Sequence, residues 1–277
     1  MTASDATVHT LDVPGACLYY EIRGSGPLLL LLGSPMDSTG FAAMAAELAH
    51  SYTVVTYDPR GIGNSTRKDP TQDVTPELQA DDVYRLLSAL GGERAYVFGS
   101  SGGAVVGLAL ATAHPNQVRM LVAHEPPVIE LLPDNAEIRE QINDIYKTYC
   151  NEGPGPAMQK FFAHVGLSAP GTEGEESRSE PDPEMLGRMR SVADHFLAHL
   201  LRPTTVYRPE IEALRSGAIK IVVAGGTTSK GQLAHRTALA LAERFGTNIV
   251  DFPGSHVGFR EQPGPCARLL QQLLTEM

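Results

Sequence analysis

The chain has 277 residues, of which 42% are hydrophobic and 19% are charged, and its formal net charge is −10. This composition predicts a globular protein with enough material for one large domain, and the negative charge argues against nucleic acid and anionic membranes as partners. Three scattered cysteines, Cys17, Cys150 and Cys266, exclude a disulfide framework and a cysteine metal cluster.

Segments with the pattern of strands and helices alternate along the chain before residue 95. Loose alternation at 7–11 and 17–23, around Pro14-Gly15, predicts an antiparallel hairpin. Apolar runs at 27–32 and 52–57 predict buried strands, and helices are expected at 41–50 and from Pro76 to about residue 90. No signal peptide and no apolar run long enough for a membrane span is visible, so we expect a cytoplasmic protein.

A short apolar run at 95–98 leads into Gly99-Ser100-Ser101-Gly102-Gly103, and small and apolar residues follow as far as His114-Pro115. The pattern predicts a buried strand, a sharp turn and a buried helix that proline ends. Glycines on both sides of Ser101 permit a strained turn that exposes the central serine. Ser101 is therefore the candidate nucleophile, although an ordinary glycine-rich turn would read in the same way.

In the second half of the chain, the residue pattern predicts a strand at 118–124, followed by helices without a convincing strand over about 128–203. It then predicts strands at 219–224 and 248–252 and helices at 232–245 and 266–274. Strands that alternate with helices indicate an α/β protein with a mostly parallel sheet covered on both faces. We expect a core of residues 1–127 and 204–277 and a helical cap of residues 128–203 inserted after the sixth strand. The polar, acidic segment 168–183 is predicted to be a mobile loop of the cap.

A serine needs a base that accepts its proton, and histidine is the usual base. His256 lies in Pro253-Gly254-Ser255-His256-Val257-Gly258, just after the last predicted strand, and so at the same sheet edge as Ser101. His195 and His199 stand four residues apart, as metal ligands can, but a third ligand is not evident, so neither metal nor another cofactor is expected.

This order of features resembles the α/β-hydrolase superfamily over essentially the whole chain. The resemblance rests on the D-x-R-G-x-G-x-S loop at 58–65, the G-x-S-x-G turn, the helical insertion and the late His256. It implies an eight-stranded, mostly parallel sheet and a triad with Ser101 as nucleophile and His256 as base. The family commonly has H-G-x after its third strand, where this chain has Leu32-Gly33-Ser34-Pro35; because Pro35 lacks an N–H, the oxyanion donors are expected to be the amides of Ser34 and Gly102.

The acid of the triad departs from the family's usual position. The loop after 219–224 contains no carboxylate, whereas Glu125 directly follows the strand at 118–124. This arrangement resembles a branch that includes zearalenone-type lactone hydrolases, whose C-H-E-L-P string is similar to Ala123-His124-Glu125-Pro126-Pro127. We therefore expect Glu125 to be the acid; the alternative is a solvated carboxylate at the hinge of the cap.

The sequence predicts a cofactor-free serine hydrolase that cleaves an apolar ester or lactone, with no metal, as a monomer or homodimer. The alternatives are a carbon–carbon bond hydrolase, a thioesterase, a perhydrolase and a non-catalytic ligand-binding protein with this fold. Substrate contacts are expected from five residues near the turn, the histidine loop and the cap, namely Met36, Ser100, Phe161, Met189 and Val257.

Overall fold

The computed structural model describes residues 5–166, 183–217 and 219–275. The predicted mobile loop at 168–183 lies outside these residues except for Pro183, which begins a helix. The strands of the described residues are β1 (Thr7–Val13), β2 (Ala16–Arg23), β3 (Leu28–Ser34), β4 (Thr53–Tyr57), β5 (Thr66–Arg67), β6 (Ala95–Ser101), β7 (Val118–His124), β8 (Lys220–Gly226) and β9 (Val250–Phe252).

Eight of these strands form one continuous sheet in the order β1-β2-β4-β3-β6-β7-β8-β9. The β1–β2 pair is antiparallel, as the predicted hairpin requires. The β2–β4 pair is also antiparallel, and all pairs from β4 to β9 are parallel. The ninth strand, β5, has only two residues and pairs with β2. The predicted α/β architecture with a mostly parallel sheet is therefore confirmed.

Helices cover both faces of the sheet because alternate residues of the buried strands point in opposite directions. In β3, Leu30 and Leu32 belong to one hydrophobic cluster, whereas Leu29 and Leu31 belong to another. Helices α2 (Pro76–Ala89), α3 (Gly102–Ala113), α8 (Ile211–Ser216) and α9 (Leu233–Phe245) pack on the first side, and α1 (Ala42–Leu48), α10 (Gly258–Glu261) and α11 (Pro263–Thr275) pack on the second.

The segment between β7 and β8 is helical, and we call residues 129–205 the helical insert. It contains α4 (Asn135–Glu152), α5 (Pro154–Val165), α6 (Pro183–His195), a π-helix (Phe196–Leu200) and α7 (Leu201–Thr205). These helices share a third hydrophobic cluster, to which Ile62 and Val74 of the loops after β4 also belong. The insert therefore has a core of its own that continues onto the body of the protein. Within the described ranges, no helix has the length and apolar character that crossing a membrane would need.

Candidate active site

The turn between β6 and α3 holds Ser101 in the left-handed region, with φ 56° and ψ −127°. The flanking glycines are required by close backbone contacts. A Cβ atom on Gly99 would lie 2.6 Å from the carbonyl oxygen of Gly103, and one on Gly103 would lie 2.1 Å from that of Leu32. Since real Cβ atoms do not approach so closely, only glycine allows β6 to turn directly into α3. The turn leaves Ser101 at the carboxyl edge of the sheet.

The end of β3 lies beside this turn. Ser34 pairs with Ser101 in the β3–β6 register, and a Cβ atom on Gly102 would meet the Ser34 carbonyl oxygen at 2.7 Å. Gly102 is the first residue of α3, where backbone amides lack partners within the helix. The two residues whose amides were expected to stabilise an oxyanion are thus direct neighbours of Ser101.

Glu125 leaves β7 with a positive φ of 49°, and its side chain is completely buried. Its Oε2 accepts a hydrogen bond from His256 Nδ1 at 2.5 Å. Its Oε1 accepts one from the Gly226 amide at 2.8 Å, and the Ser229 hydroxyl also donates to Oε1. The alternative of a solvated carboxylate is therefore wrong, because three donors enclose this group.

Gly226 and Ser229 are partners of Glu125 that the sequence pattern does not reveal. Gly226 ends β8 and Ser229 lies in the loop after it, where the acid of the family usually lies. Here that region supplies hydrogen-bond donors to a carboxylate that arrives from the neighbouring strand, and Ser229 is completely buried. The available signal was a loop rich in hydroxyl groups and lacking a carboxylate, but it does not show which hydroxyl turns inward.

The ionisation of Glu125 follows from these contacts. Burial raises the pKa of the carboxyl group, but the hydrogen bond from His256, the imidazole of His124 and the hydrogen bond from Ser229 outweigh burial and bring the pKa to about 2. Glu125 is therefore an anion at neutral pH, and it fixes His256 with the proton on Nδ1. An imidazole in this tautomer has Nε2 available to accept a proton.

His124 lies beneath the site and was not predicted to take part in it. Its ring is 2% exposed, its centroid is 6.2 Å from that of His256, and its Nδ1 lies 3.0 Å from Ser100 Oγ. Burial lowers the pKa of His124 to about 4, so this ring is neutral at physiological pH. Ser100, which was expected to contact the substrate, therefore has its hydroxyl engaged with His124, although the residue also lines the cavity described next.

A cavity of about 380 Å³ lies between the sheet edge and the helical insert. Ser101 and His256 both line it, although no hydrogen bond joins their side chains in the described part of the chain. Most other wall residues are apolar, which suits a hydrophobic ligand. The wall includes Ser34, Met36, Ser100, Gly102, Met158, Phe161, Phe162, Phe196, Leu200 and Val257.

Met189 was expected to contact the substrate, but this expectation is wrong because Met189 does not line the cavity. Its side chain is 45% exposed on α6, where every residue from Leu186 to Ser191 is exposed. The following π-helix instead supplies Phe196 and Leu200 to the cavity wall. Helical periodicity identified the segment, but it could not show which face the neighbouring helices would cover.

His195 and His199 have separate partners rather than a shared ligand. His195 Nε2 lies 3.0 Å from the carbonyl oxygen of Arg60, and His199 Nδ1 lies 3.2 Å from Asp73 Oδ1. Both contacts join the helical insert to loops after β4. Among the described side chains, no group of three or more His, Cys, Asp and Glu residues could hold a metal ion.

Comparison with known proteins agrees with the fold described above. Residues 26–162 match a family described as the alpha/beta hydrolase fold. An "Uncharacterized hydrolase YraK" from Bacillus subtilis is 36% identical over 90% of this chain and 89% of its own length. A thermophilic esterase from Thermogutta terrifontis has a TM-score of 0.72 and 22% identity, covering 98% of both chains. An alpha/beta hydrolase from Sphaerobacter thermophilus has a TM-score of 0.67 and 24% identity, covering 96% of this chain and 100% of its own. The chain therefore belongs to the α/β-hydrolase family.

Proposed function

We propose that this protein is a cofactor-free serine hydrolase that cleaves an ester or lactone through an acyl-enzyme intermediate. The observation that carries the proposal is the buried Glu125 carboxylate, whose hydrogen bond to His256 Nδ1 leaves the other ring nitrogen free to act in the cavity that contains Ser101. A neutral imidazole oriented by an anion is the base that a serine nucleophile requires.

In the proposed reaction, Ser101 Oγ attacks the carbonyl carbon of the substrate while His256 Nε2 takes the hydroxyl proton. Glu125 stabilises the resulting imidazolium, and the amides of Ser34 and Gly102 bind the oxyanion. His256 then gives its proton to the leaving alkoxide as the tetrahedral intermediate collapses to the acyl-enzyme. Water, activated by His256, attacks the acyl carbon, and the acid is released as Ser101 regains its proton.

The helical insert acts in this proposal as a cap that selects the substrate. Its aromatic and aliphatic side chains form most of the cavity roof, and they favour a bulky, apolar substrate such as an aromatic or macrocyclic lactone. The position of Glu125 after β7 supports a relationship to the branch that includes zearalenone-type lactone hydrolases. A monomer or homodimer in the cytoplasm, acting on a small molecule, completes the proposal.

The test measures turnover of p-nitrophenyl esters, aromatic lactones and acyl thioesters by the wild type and by Ser101→Ala. We expect ester or lactone turnover that disappears in the variant, because only Ser101 can form the acyl-enzyme. A fluorophosphonate probe should label Ser101 and no other serine, as peptide mapping by mass spectrometry would show. Turnover that survives in the variant, or labelling at Ser100, would contradict the mechanism. Specific binding without turnover would favour the ligand-binding alternative.

A further inference from the structure

Two consecutive threonines of α7, Thr204 and Thr205, line the cavity and differ in what their hydroxyl groups do. The Thr205 hydroxyl donates to the carbonyl oxygen of Leu201 at 2.8 Å, with the carbonyl of Arg202 also within 3.1 Å. This is the usual bond of a helical threonine to the preceding turn. The Thr204 side chain makes no hydrogen bond within the described ranges, although the residue is only 7% exposed.

The reason lies in the backbone before Thr204. The residue four positions earlier is Leu200, the last residue of the π-helix, where the amide of Leu201 donates to the carbonyl of Phe196 rather than to that of Leu197. The Thr204 hydroxyl does not donate a hydrogen bond to a backbone carbonyl oxygen of this irregular turn, as a threonine in a regular helix usually does. A buried hydroxyl without a partner is costly, so such groups in cavities are commonly satisfied by a ligand or by water.

Of the other polar residues of the cavity wall, Arg260 is exposed to solvent, Ser34 lies beside Ser101, and two more already have hydrogen-bond partners. Gln232 Nε2 donates to the carbonyl oxygen of Gly166 at 3.0 Å, and a hydrogen bond joins Ser100 Oγ to His124 Nδ1. His164 Nε2 also has no partner, but protein encloses this atom completely. The side-chain oxygen of Thr204, by contrast, is not completely enclosed. Thr204 therefore brings to this largely apolar cavity a hydroxyl group that has no partner within the described ranges.

We propose that the Thr204 hydroxyl binds an oxygen atom of the substrate other than the oxygen of the scissile carbonyl. The substrate class is thus an apolar ester or lactone that carries a second oxygen function, such as a ketone or hydroxyl group. This inference rests on the proposed hydrolase function of the same cavity. An ester with no oxygen outside its scissile group would leave the hydroxyl unpaired, whereas a second oxygen function would pair with it, and pairing of this kind contributes strongly to selectivity.

The test compares p-nitrophenyl octanoate with octanoates that carry one ketone or hydroxyl group at successive positions along the chain. For each enzyme, the measured quantity is the ratio of kcat/KM for the oxygenated ester to kcat/KM for the plain ester. We expect the wild type to favour at least one position of the oxygen. Thr204→Val, which keeps the shape and removes the hydroxyl, should lower that ratio by about 10-fold, and Thr204→Ser should largely keep it.

Thr205→Val is the matched control, because it removes a hydroxyl from the same wall that is already bonded within the helix. Its ratio should stay within about twofold of the wild type. An unchanged ratio in Thr204→Val, an equal fall in Thr205→Val, or a wild type that favours no oxygenated ester would overturn the inference.

Calorimetric binding of the same esters to Ser101→Ala separates the two proposals. If the wild type fails to hydrolyse any ester, the proposed hydrolase function fails. Thr204 is then still tested by the ratio of the binding constant of the oxygenated ester to that of the plain ester, measured with and without Thr204→Val in the Ser101→Ala background. A binding ratio that falls about 10-fold would support a Thr204 contact with the ligand. A ratio that does not change would exclude the contact.

Discussion

At the scale of the residue, the described chain holds only two non-glycine residues with positive φ, and these are Ser101 and Glu125. Such backbone conformations are costly and persist where the surrounding structure holds them. Ser101 ends the parallel strand β6, and Glu125 directly follows the parallel strand β7. The Glu125 side chain accepts a hydrogen bond from His256, and Ser101 lines the same cavity as His256. The strained backbone thus coincides with the two residues to which the proposed reaction assigns the nucleophile and the acid.

Replacing Ser101 with Ala should abolish nearly all turnover. We expect a loss of about 10³-fold or more, since Ser101 is the proposed nucleophile and a triad acts as a unit. The measurement is kcat on the best ester of the panel, with circular dichroism and Tm as checks on the fold. Because alanine has a similar cost to serine in this turn, the Tm should change little. A large drop in Tm would mean that the lost activity does not report on the nucleophile.

Glu125→Gln should keep the shape of the site but remove its negative charge. The amide would face His256 Nδ1 with a donor or with a weaker acceptor, so the imidazolium formed during attack would lose its partner. We expect kcat to fall by about 10²- to 10⁴-fold. Glu130→Gln is the control, because Glu130 is also a buried carboxylate, 3% exposed, but it pairs with Arg139 and Arg208 instead. Equal losses in the two variants would count against a specific role for Glu125.

At the scale of the element, the turn between β6 and α3 can be tested through its glycines. Gly103→Ala places a methyl group 2.1 Å from the Leu32 carbonyl oxygen, so β3 and α3 must move apart. The free energy of unfolding should fall by about 1–3 kcal/mol, and activity should fall as well, because the proposed oxyanion donors lie on these two elements. Chemical denaturation and ester turnover measure the two effects.

Gly155→Ala is the matched control for the turn. Gly155 lies in the first turn of α5, and no atom lies within 4 Å of a Cβ built there. Alanine should therefore be neutral or stabilise the helix by up to about 1 kcal/mol. If Gly103→Ala behaved like Gly155→Ala, the close packing of β3 against α3 would not be what requires glycine.

Most elements were predictable because their signals are local. The apolar run of β3 and the hairpin of β1 and β2 follow directly from residue patterns. By contrast, β5 has two residues, too few to show alternation, and the π-helix at Phe196–Leu200 differs from an α-helix only in its hydrogen bonds. The exposed position of Met189 and the inward turn of Ser229 depend on tertiary neighbours, and a single sequence does not encode those neighbours in a readable pattern.

At the scale of the whole molecule, the helical insert is joined to the body through polar contacts as well as through its apolar cluster. His195 bonds the carbonyl oxygen of Arg60, and the amide of Val74 donates to the carbonyl of His199 at 3.0 Å. His195 is only 4% exposed, and its Nδ1 has no partner within the described part of the chain. The junction therefore requires a neutral imidazole, because a second proton would be buried without an acceptor.

This requirement predicts that acid destabilises the folded protein. Burial lowers the pKa of His195 to about 4, whereas an unfolded histidine has a pKa of about 6.5. Because the folded pKa is the lower one, the stability is fully present above about pH 6.5 and is lost as the pH falls toward 4. The loss from His195 is at most about 3 kcal/mol, and His124, whose pKa is also lowered to about 4 by burial, adds to it.

His195→Gln keeps a donor for the Arg60 carbonyl but cannot titrate, so its free energy of unfolding should fall less between pH 6.5 and pH 4. Urea denaturation across this range measures the slopes, with the exposed His50→Gln as control. Parallel curves for the wild type and His195→Gln would mean that protonation of this junction does not limit acid stability.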